Sequence, residues 1–109
     1  MKSLILSVAT LTLLSGCAMT LPVTGQSTDG SETFTGKATG YVDGGGTLEL
    51  ASNRGLNCKG TFVYETQRNG SGTFICTNGQ SGPFQFVSTG TRGTGTGTIG
   101  SKTFTFTFG

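Results

Sequence analysis

Side chains able to do chemistry are few. Five carboxylates, Asp29, Glu32, Asp43, Glu49 and Glu65, share a 109-residue chain with seven basic residues and no histidine. The missing imidazole excludes Ser-His-Asp and Cys-His nucleophilic catalysis and His-ligated zinc. Glycoside hydrolysis needs two carboxyls about 5 to 9.5 Å apart across a cleft, whereas these five fall on tether, turn and outward strand positions. Asp43, in Tyr41-Val42-Asp43-Gly44-Gly45-Gly46, stands where aspartate favours a turn. The glycine run is followed by neither a helix start nor Gly-Lys-Ser/Thr, so it is no phosphate loop. Calcium sites of the β-roll type need Gly-Gly-x-Gly-x-Asp repeated in register, and one partial copy is present. The sequence therefore predicts no catalytic group, no metal site and no cofactor, and the chain reads as non-enzymatic.

A formal charge of +2 gives no basic patch for nucleic acid. Lys37, Arg54, Lys59, Arg68, Arg92 and Lys102 could interleave with Tyr41 and Tyr64 as a binding face. Equally, cations at outward or edge positions discourage strand-to-strand aggregation.

Of the three cysteines, the first sits at a processing signal. Lys2 supplies a positive n-region, Leu4 to Leu14 is apolar, and small residues follow, a secretory layout too short to remain as a spanning helix. Its end, Leu14-Ser15-Gly16-Cys17, resembles the bacterial lipobox. That resemblance implies diacylglycerol on the Cys17 sulfur, cleavage before it and acylation of the new N-terminus. The competing reading is an ordinary signal peptide with an incidental cysteine. Two or more acyl chains anchor stably, at about 0.8 kcal/mol per buried CH₂, so the membrane is the expected partner. Ala18 is not the aspartate that retains lipoproteins at the inner membrane of enteric-type bacteria. In a Gram-negative cell the expectation is the outer membrane, on its periplasmic face or displayed outside.

Removing residues 1–16 leaves 93, of which 27 are apolar. That is one small domain with a thin core, the kind that often needs a covalent staple. Cys58 and Cys76 are an even pair in an exported chain, and a disulfide is the expected state, with buried thiols or a redox pair as rivals. Closing that loop contributes about 3 kcal/mol in the chain-entropy picture. Residues 17–32 are polar, Gly-containing and aperiodic, which reads as a flexible tether. The folded domain is expected over 33–109.

Beyond residue 33 the hydrophobic period is two. Phe104, Phe106 and Phe108 alternate with threonines, Phe84 and Phe86 flank Gln85, Phe62 and Tyr64 flank Val63, and Leu48 and Leu50 flank Glu49. This is strand patterning, with one apolar and one Thr-covered face. Gly-Thr-Leu, Gly-Thr-Phe, Gly-Pro-Phe and Gly-Thr-Ile units begin at Gly46, Gly60, Gly72, Gly82 and Gly97, a spacing that fits one strand plus one turn. A turn centred on Gln67 puts Cys58 opposite Cys76, Gly60 opposite Phe74 and Phe62 opposite Gly72. Around Gly79 a strict two-residue Asn78-Gly79 loop would flip Phe84 and Phe86 to the wrong face. A three-residue bulged loop with Gly79 left-handed keeps one apolar face and predicts Phe74 opposite Phe84.

Three resemblances accompany this pattern. The glycine and aromatic spacing over 34–109 loosely resembles MORN-type hairpin repeats, which implies an elongated twisted sheet and a scaffolding role. Phe74-Ile75-Cys76-Thr77-Asn78-Gly79 with Phe84-Gln85-Phe86 resembles a strand pair of small-barrel lysozyme inhibitors, although that family expects the partner cysteine near the C-terminus. Thr103 to Gly109 resembles the aromatic-alternating last strand of outer-membrane barrels, which need at least eight strands and a lipid-facing apolar band, whereas the opposite strand faces here are Thr and Gly.

The expected fold is all-β: an antiparallel meander of about seven strands, a curled sheet or small barrel with one disulfide. Phe62, Tyr64, Phe74, Phe84, Phe86, Phe104 and Phe106 are its expected core. The expected function is a lipid-anchored, non-enzymatic envelope lipoprotein acting as a structural or interaction module. The alternative is a lipid-anchored inhibitor of a periplasmic hydrolase, a lysozyme or protease, so an envelope protein or such a hydrolase is the candidate protein partner.

Overall fold

The computed structural model describes residues 18–109. The predicted signal peptide and the predicted lipidation site, Cys17, lie outside them. Eight strands follow one another: β1 (Met19–Ser27), β2 (Thr33–Gly40), β3 (Gly45–Ser52), β4 (Asn57–Tyr64), β5 (Asn69–Cys76), β6 (Ser81–Thr89), β7 (Arg92–Ile99) and β8 (Lys102–Phe108). Each pairs antiparallel with the next, and β8 returns to β1, so the meander closes into a barrel. The sheet therefore has no open edge, unlike the elongated stack of hairpins that the MORN resemblance implies.

The period of two sorts side chains between an apolar inside and a polar outside. Val23, Phe34, Leu48, Leu50, Phe74, Phe84, Phe86, Ile99, Phe104 and Phe106 form the buried core with Cys58 and Cys76. Threonines cover much of the outer wall, where Thr24 and Thr107 bring their hydroxyls to 3.2 Å across β1 and β8. A membrane-spanning barrel carries its apolar band outside. Here the alternation runs the other way, with the apolar row inside and a largely threonine-covered wall outside.

Glycine makes the packing possible. On β7 the inward row is Gly93, Gly95 and Gly97, set between Phe84 and Phe86 of β6 and Phe104, Phe106 and Phe108 of β8. A Cβ at Gly95 would collide with the Phe106 ring and lie 2.6 Å from the Gln85 carbonyl oxygen. The same exchange puts Phe62 beside Gly46 and Gly72, and Phe74 beside Gly60 and Gly82.

The β4–β5 register is the predicted one, with Cys58 opposite Cys76 and a disulfide joining them. At the following turn Gly79 is left-handed, with φ 84°, and Thr77-Asn78-Gly79 form a three-residue loop. The Gly79 N–H donates to the Cys76 carbonyl at 2.9 Å, and the Cys76 N–H donates to that of Gln80 at 2.8 Å. The expected pairing of Phe74 with Phe84 is corrected: Phe74 faces Gly82, and Phe84 faces Gly72. The bulge glycine closes the loop instead of standing at its centre. This shifts the partner strand by two residues and leaves the inward parity intact.

The second correction concerns residues 17–32 and with them the strand count. Met19–Ser27 is a strand, so the barrel has eight strands and begins well before residue 33. Its inward row is Leu21, Val23, Gly25 and Ser27, with Met19 at the exposed start. Two large apolar side chains on either side of Pro22, followed by a polar Gly-containing run, leave little to mark a strand by sequence. Pro22, lacking a donor, lies beyond the end of the β1–β8 ladder, which starts at Val23, a position where proline is tolerated.

Gly95→Ala should destabilise the barrel by about 1–3 kcal/mol through overpacking. Thr96→Ala, on the outer wall, should stay within about 0.5 kcal/mol. Urea unfolding of the two variants checks this, and equal midpoints would refute the glycine-clearance account.

Candidate functional site

An up-and-down barrel presents its turns alternately at two mouths. The first mouth carries turns 28–32, 53–56, 77–80 and 100–101. The second carries the start of β1, turns 41–44, 65–68 and 90–91, and the end of β8.

Charged and hydroxyl side chains meet at the first mouth. The Asp29 carboxylate accepts hydrogen bonds from the Ser27 hydroxyl at 2.6 Å and from the Ser31 N–H and hydroxyl at 3.0 and 2.7 Å. These donors, the Ser27 hydroxyl first, hold its pKa far below the usual carboxylate range. Ser27 is fully buried and accepts in turn from the Glu32 N–H at 3.0 Å. Lys102 Nζ reaches Glu32 Oε1 at 3.6 Å and Ser31 Oγ at 3.3 Å. A serine beside a lysine invites a nucleophilic reading, but both hydroxyls give their protons to Asp29, and the ammonium faces a carboxylate. The cluster instead satisfies the backbone and hydroxyl groups of a tight turn.

The second mouth is apolar. Met19, Leu21, Val23, Phe62, Tyr64, Phe86, Phe106 and Phe108 are among the residues lining a cavity of about 120 Å³ that opens there. Phe86 holds the ring cluster together, edge-on to Phe62 and Tyr64 at 5.2 Å each and to Phe108 at 5.8 Å. Edge-to-face contacts at these separations are favourable. One polar handle is fixed: the Tyr64 hydroxyl donates to Ser88 Oγ at 3.2 Å, and the Ser88 N–H donates to the Arg68 carbonyl at 2.7 Å. Tyr64, expected in the core, is 38 % exposed at this rim, and Phe62 is half-buried.

The remaining sequence-predicted positions are dispersed. Cys58 and Cys76 cross-link β4 and β5 toward the first mouth. Asp43 accepts from the Gly45 N–H at 2.9 Å, as a turn aspartate does. Glu49 pairs with Lys37 at 3.7 Å on the outer wall, and Glu65 lies in turn 65–68. Of the cations, Arg54 and Lys102 stand at the first mouth, Lys37 and Lys59 on the wall, and Arg68 and Arg92 toward the second mouth, so they do not gather on one face. Among the described residues no three His, Cys, Asp or Glu side chains converge as a metal site. Sequence reasoning missed the apolar mouth, because a period of two tells which face a residue takes but not how near it lies to a strand end.

The depressed Asp29 pKa fixes a sign. Its ionised form is favoured in the folded state, so the stabilisation is fully present above the ordinary carboxylate pKa and is lost progressively as pH falls from there towards the much lower folded-state value. Asp29→Asn should therefore melt below the parent at pH 7, and the gap should close from about pH 5 towards about pH 2. A gap that stays constant in thermal melts across that range would refute the assignment.

No protein-family model matches the chain, and no curated protein matches it. Among solved structures it is similar to a redesigned β-barrel, mFAP1, bound to DFHBI, with a TM-score of 0.66 and 17 % identity over 82 % of this chain and 90 % of that one. At that identity the likeness concerns the fold: an all-β antiparallel barrel.

Proposed function

We propose that the chain is a lipid-anchored, non-enzymatic lipoprotein of the bacterial envelope, outer-membrane in a Gram-negative cell, whose barrel serves as an interaction module held directly at the membrane. One observation carries this reading. The barrel wall starts at Met19, so a single residue, Ala18, separates it from the cysteine of the lipobox-like segment. Two residues of extended chain reach about 7 Å. A lipidated Cys17 would thus feed straight into β1, and the acyl chains would fix the barrel against the bilayer.

The carboxylates support a non-catalytic role, since Asp29, Asp43 and Glu49 bind turns or wall partners. Nor does the redesigned barrel's ligand transfer readily to this interior. Phe74, Phe84 and Phe104 are fully buried in its middle, and the apolar cavity of about 120 Å³ at the second mouth is well below the roughly 300–1,000 Å³ of drug-sized sites. The larger space of about 540 Å³ at the first mouth is partly lined by charged and polar side chains, Glu32, Arg54, Asn78 and Lys102. A hydrolase inhibitor would gain from a long projecting loop. The seven turns here are two to five residues each, which favours the envelope-module reading.

Metabolic labelling with a palmitate analogue tests the anchor. The parent chain should carry label and partition with membranes, and Cys17→Ser should lose the label. Retained label in Cys17→Ser would refute attachment at this residue.

A further inference from the structure

We infer that the second mouth is a membrane-docking surface, and that the barrel stands on the bilayer with its apolar rim seated at the boundary between headgroups and acyl chains. Seven large hydrophobic side chains are exposed among the described residues, and five of them, Met19, Tyr41, Val42, Val63 and Tyr64, ring this one mouth. Val42, at the tip of turn 41–44, is 84 % exposed. The four turns of the first mouth carry none, and of the strand ends there only that of β5 has one, Ile75. Scattered apolar residues need no explanation, but a patch gathered at one end and continuous with an apolar cavity does. The two tyrosines suit this boundary, because each has an apolar ring and a polar tip.

Chain position identifies the occupant as lipid. Met19 belongs to this rim, and Cys17 precedes it by two residues. Acyl chains attached there lie within about 7 Å of the rim, whereas the opposite mouth stands roughly 20 Å away, along eight-residue tilted strands. The inference thus rests on the lipid-anchor reading for its occupant and adds an orientation to it. Rim charges are balanced, with Asp43 and Glu65 against Arg68 and Arg92. Seating is therefore driven by apolar burial and not by attraction to anionic headgroups.

The chain contains no tryptophan, so a single introduced one reports depth without background. The full-length protein, purified from its host membranes, is reconstituted into phosphatidylcholine vesicles with and without brominated acyl chains. Three reporters are compared: Val42→Trp and Val63→Trp on the rim, and Arg54→Trp in an exposed turn of the opposite mouth. Rim reporters should emit at shorter wavelength and be quenched several-fold more by brominated lipid than Arg54→Trp. That difference should survive a rise in salt from about 0.1 M to about 1 M, which shortens the screening length from about 10 Å to about 3 Å.

Protein that floats with vesicles while all three reporters quench alike overturns the docking and leaves the anchor standing. A blue shift at Val42→Trp without bromolipid quenching means that a second copy covers the rim, and also overturns it. Quenched rim reporters on protein whose mass shows no acyl groups uphold the docking and defeat the anchor. Protein that neither floats nor carries acyl groups defeats both.

Discussion

The interior of an eight-stranded barrel is about wide enough to be filled by side chains and little more. This chain fills it with phenylalanine rings and makes room for them by deleting side chains from the neighbouring strands. Each inward phenylalanine from Phe62 to Phe106 has an inward glycine on at least one adjacent strand. Through the aromatic part of the wall each ring lies beside a small residue, because two rings side by side would overfill the space. The register of the sheet is thereby tied to its packing. A slip of one residue on a ring-bearing strand such as β6 or β8 would turn its rings outward and bring its polar outer residues inside.

Two further features follow from that arrangement. With so many glycines the wall is entropically expensive to order, since glycine gives up more backbone freedom than any other residue. The Cys58–Cys76 disulfide restricts the unfolded chain, and barrel closure removes the edges at which a threonine-rich sheet would otherwise pair with other chains. The rings also fill the barrel unevenly. Phe74, Phe84 and Phe104 are fully buried in the middle, whereas Phe62, Tyr64 and Phe108 line the second mouth, where the wall ends and the cavity opens. One end is left apolar, and the other opens a cavity of about 540 Å³ whose lining mixes Phe34, Ile99 and Phe104 with Glu32, Arg54 and Lys102.

Much of this was legible in the sequence, for identifiable reasons. The β4–β5 register was readable because two independent constraints, opposed cysteines and rings opposite glycines, select the same pairing. At β5–β6 only parity was available, and parity cannot distinguish registers two residues apart, so the partner of Phe74 was misplaced. β1 escaped notice because Leu21 and Val23 flank a proline and the rest of its inward row, Gly25 and Ser27, carries no large apolar side chain, so the run reads as polar and aperiodic. It exists because β2 pairs with it over Met19–Gln26 and β8 over Val23–Ser27, and Gly25 lies between Phe34 and Phe106. Closure is a long-range property, and no local pattern announces it. Tyr64 was assigned the correct face but the wrong depth, which is why the apolar mouth escaped notice.

The recovery of β1 also changes what an anchor at Cys17 would do. A flexible 16-residue tether would let the barrel roam over roughly 20 Å from its acyl chains, and neither mouth would have a defined relation to the membrane. With only Ala18 between that cysteine and the first strand, tilting the barrel away would mean straining β1 or withdrawing acyl chains at about 0.8 kcal/mol per methylene. Orientation then becomes a property of the fold. The mouth at which β1 begins is also the mouth where exposed apolar residues collect, and the opposite mouth, bearing Arg54, Asn78 and Gln80, would be left pointing into the aqueous space. Under the lipid-anchor reading, a protein partner would meet that polar end or the threonine-covered wall. The aromatic mouth, despite its pocket, would be occupied by the membrane.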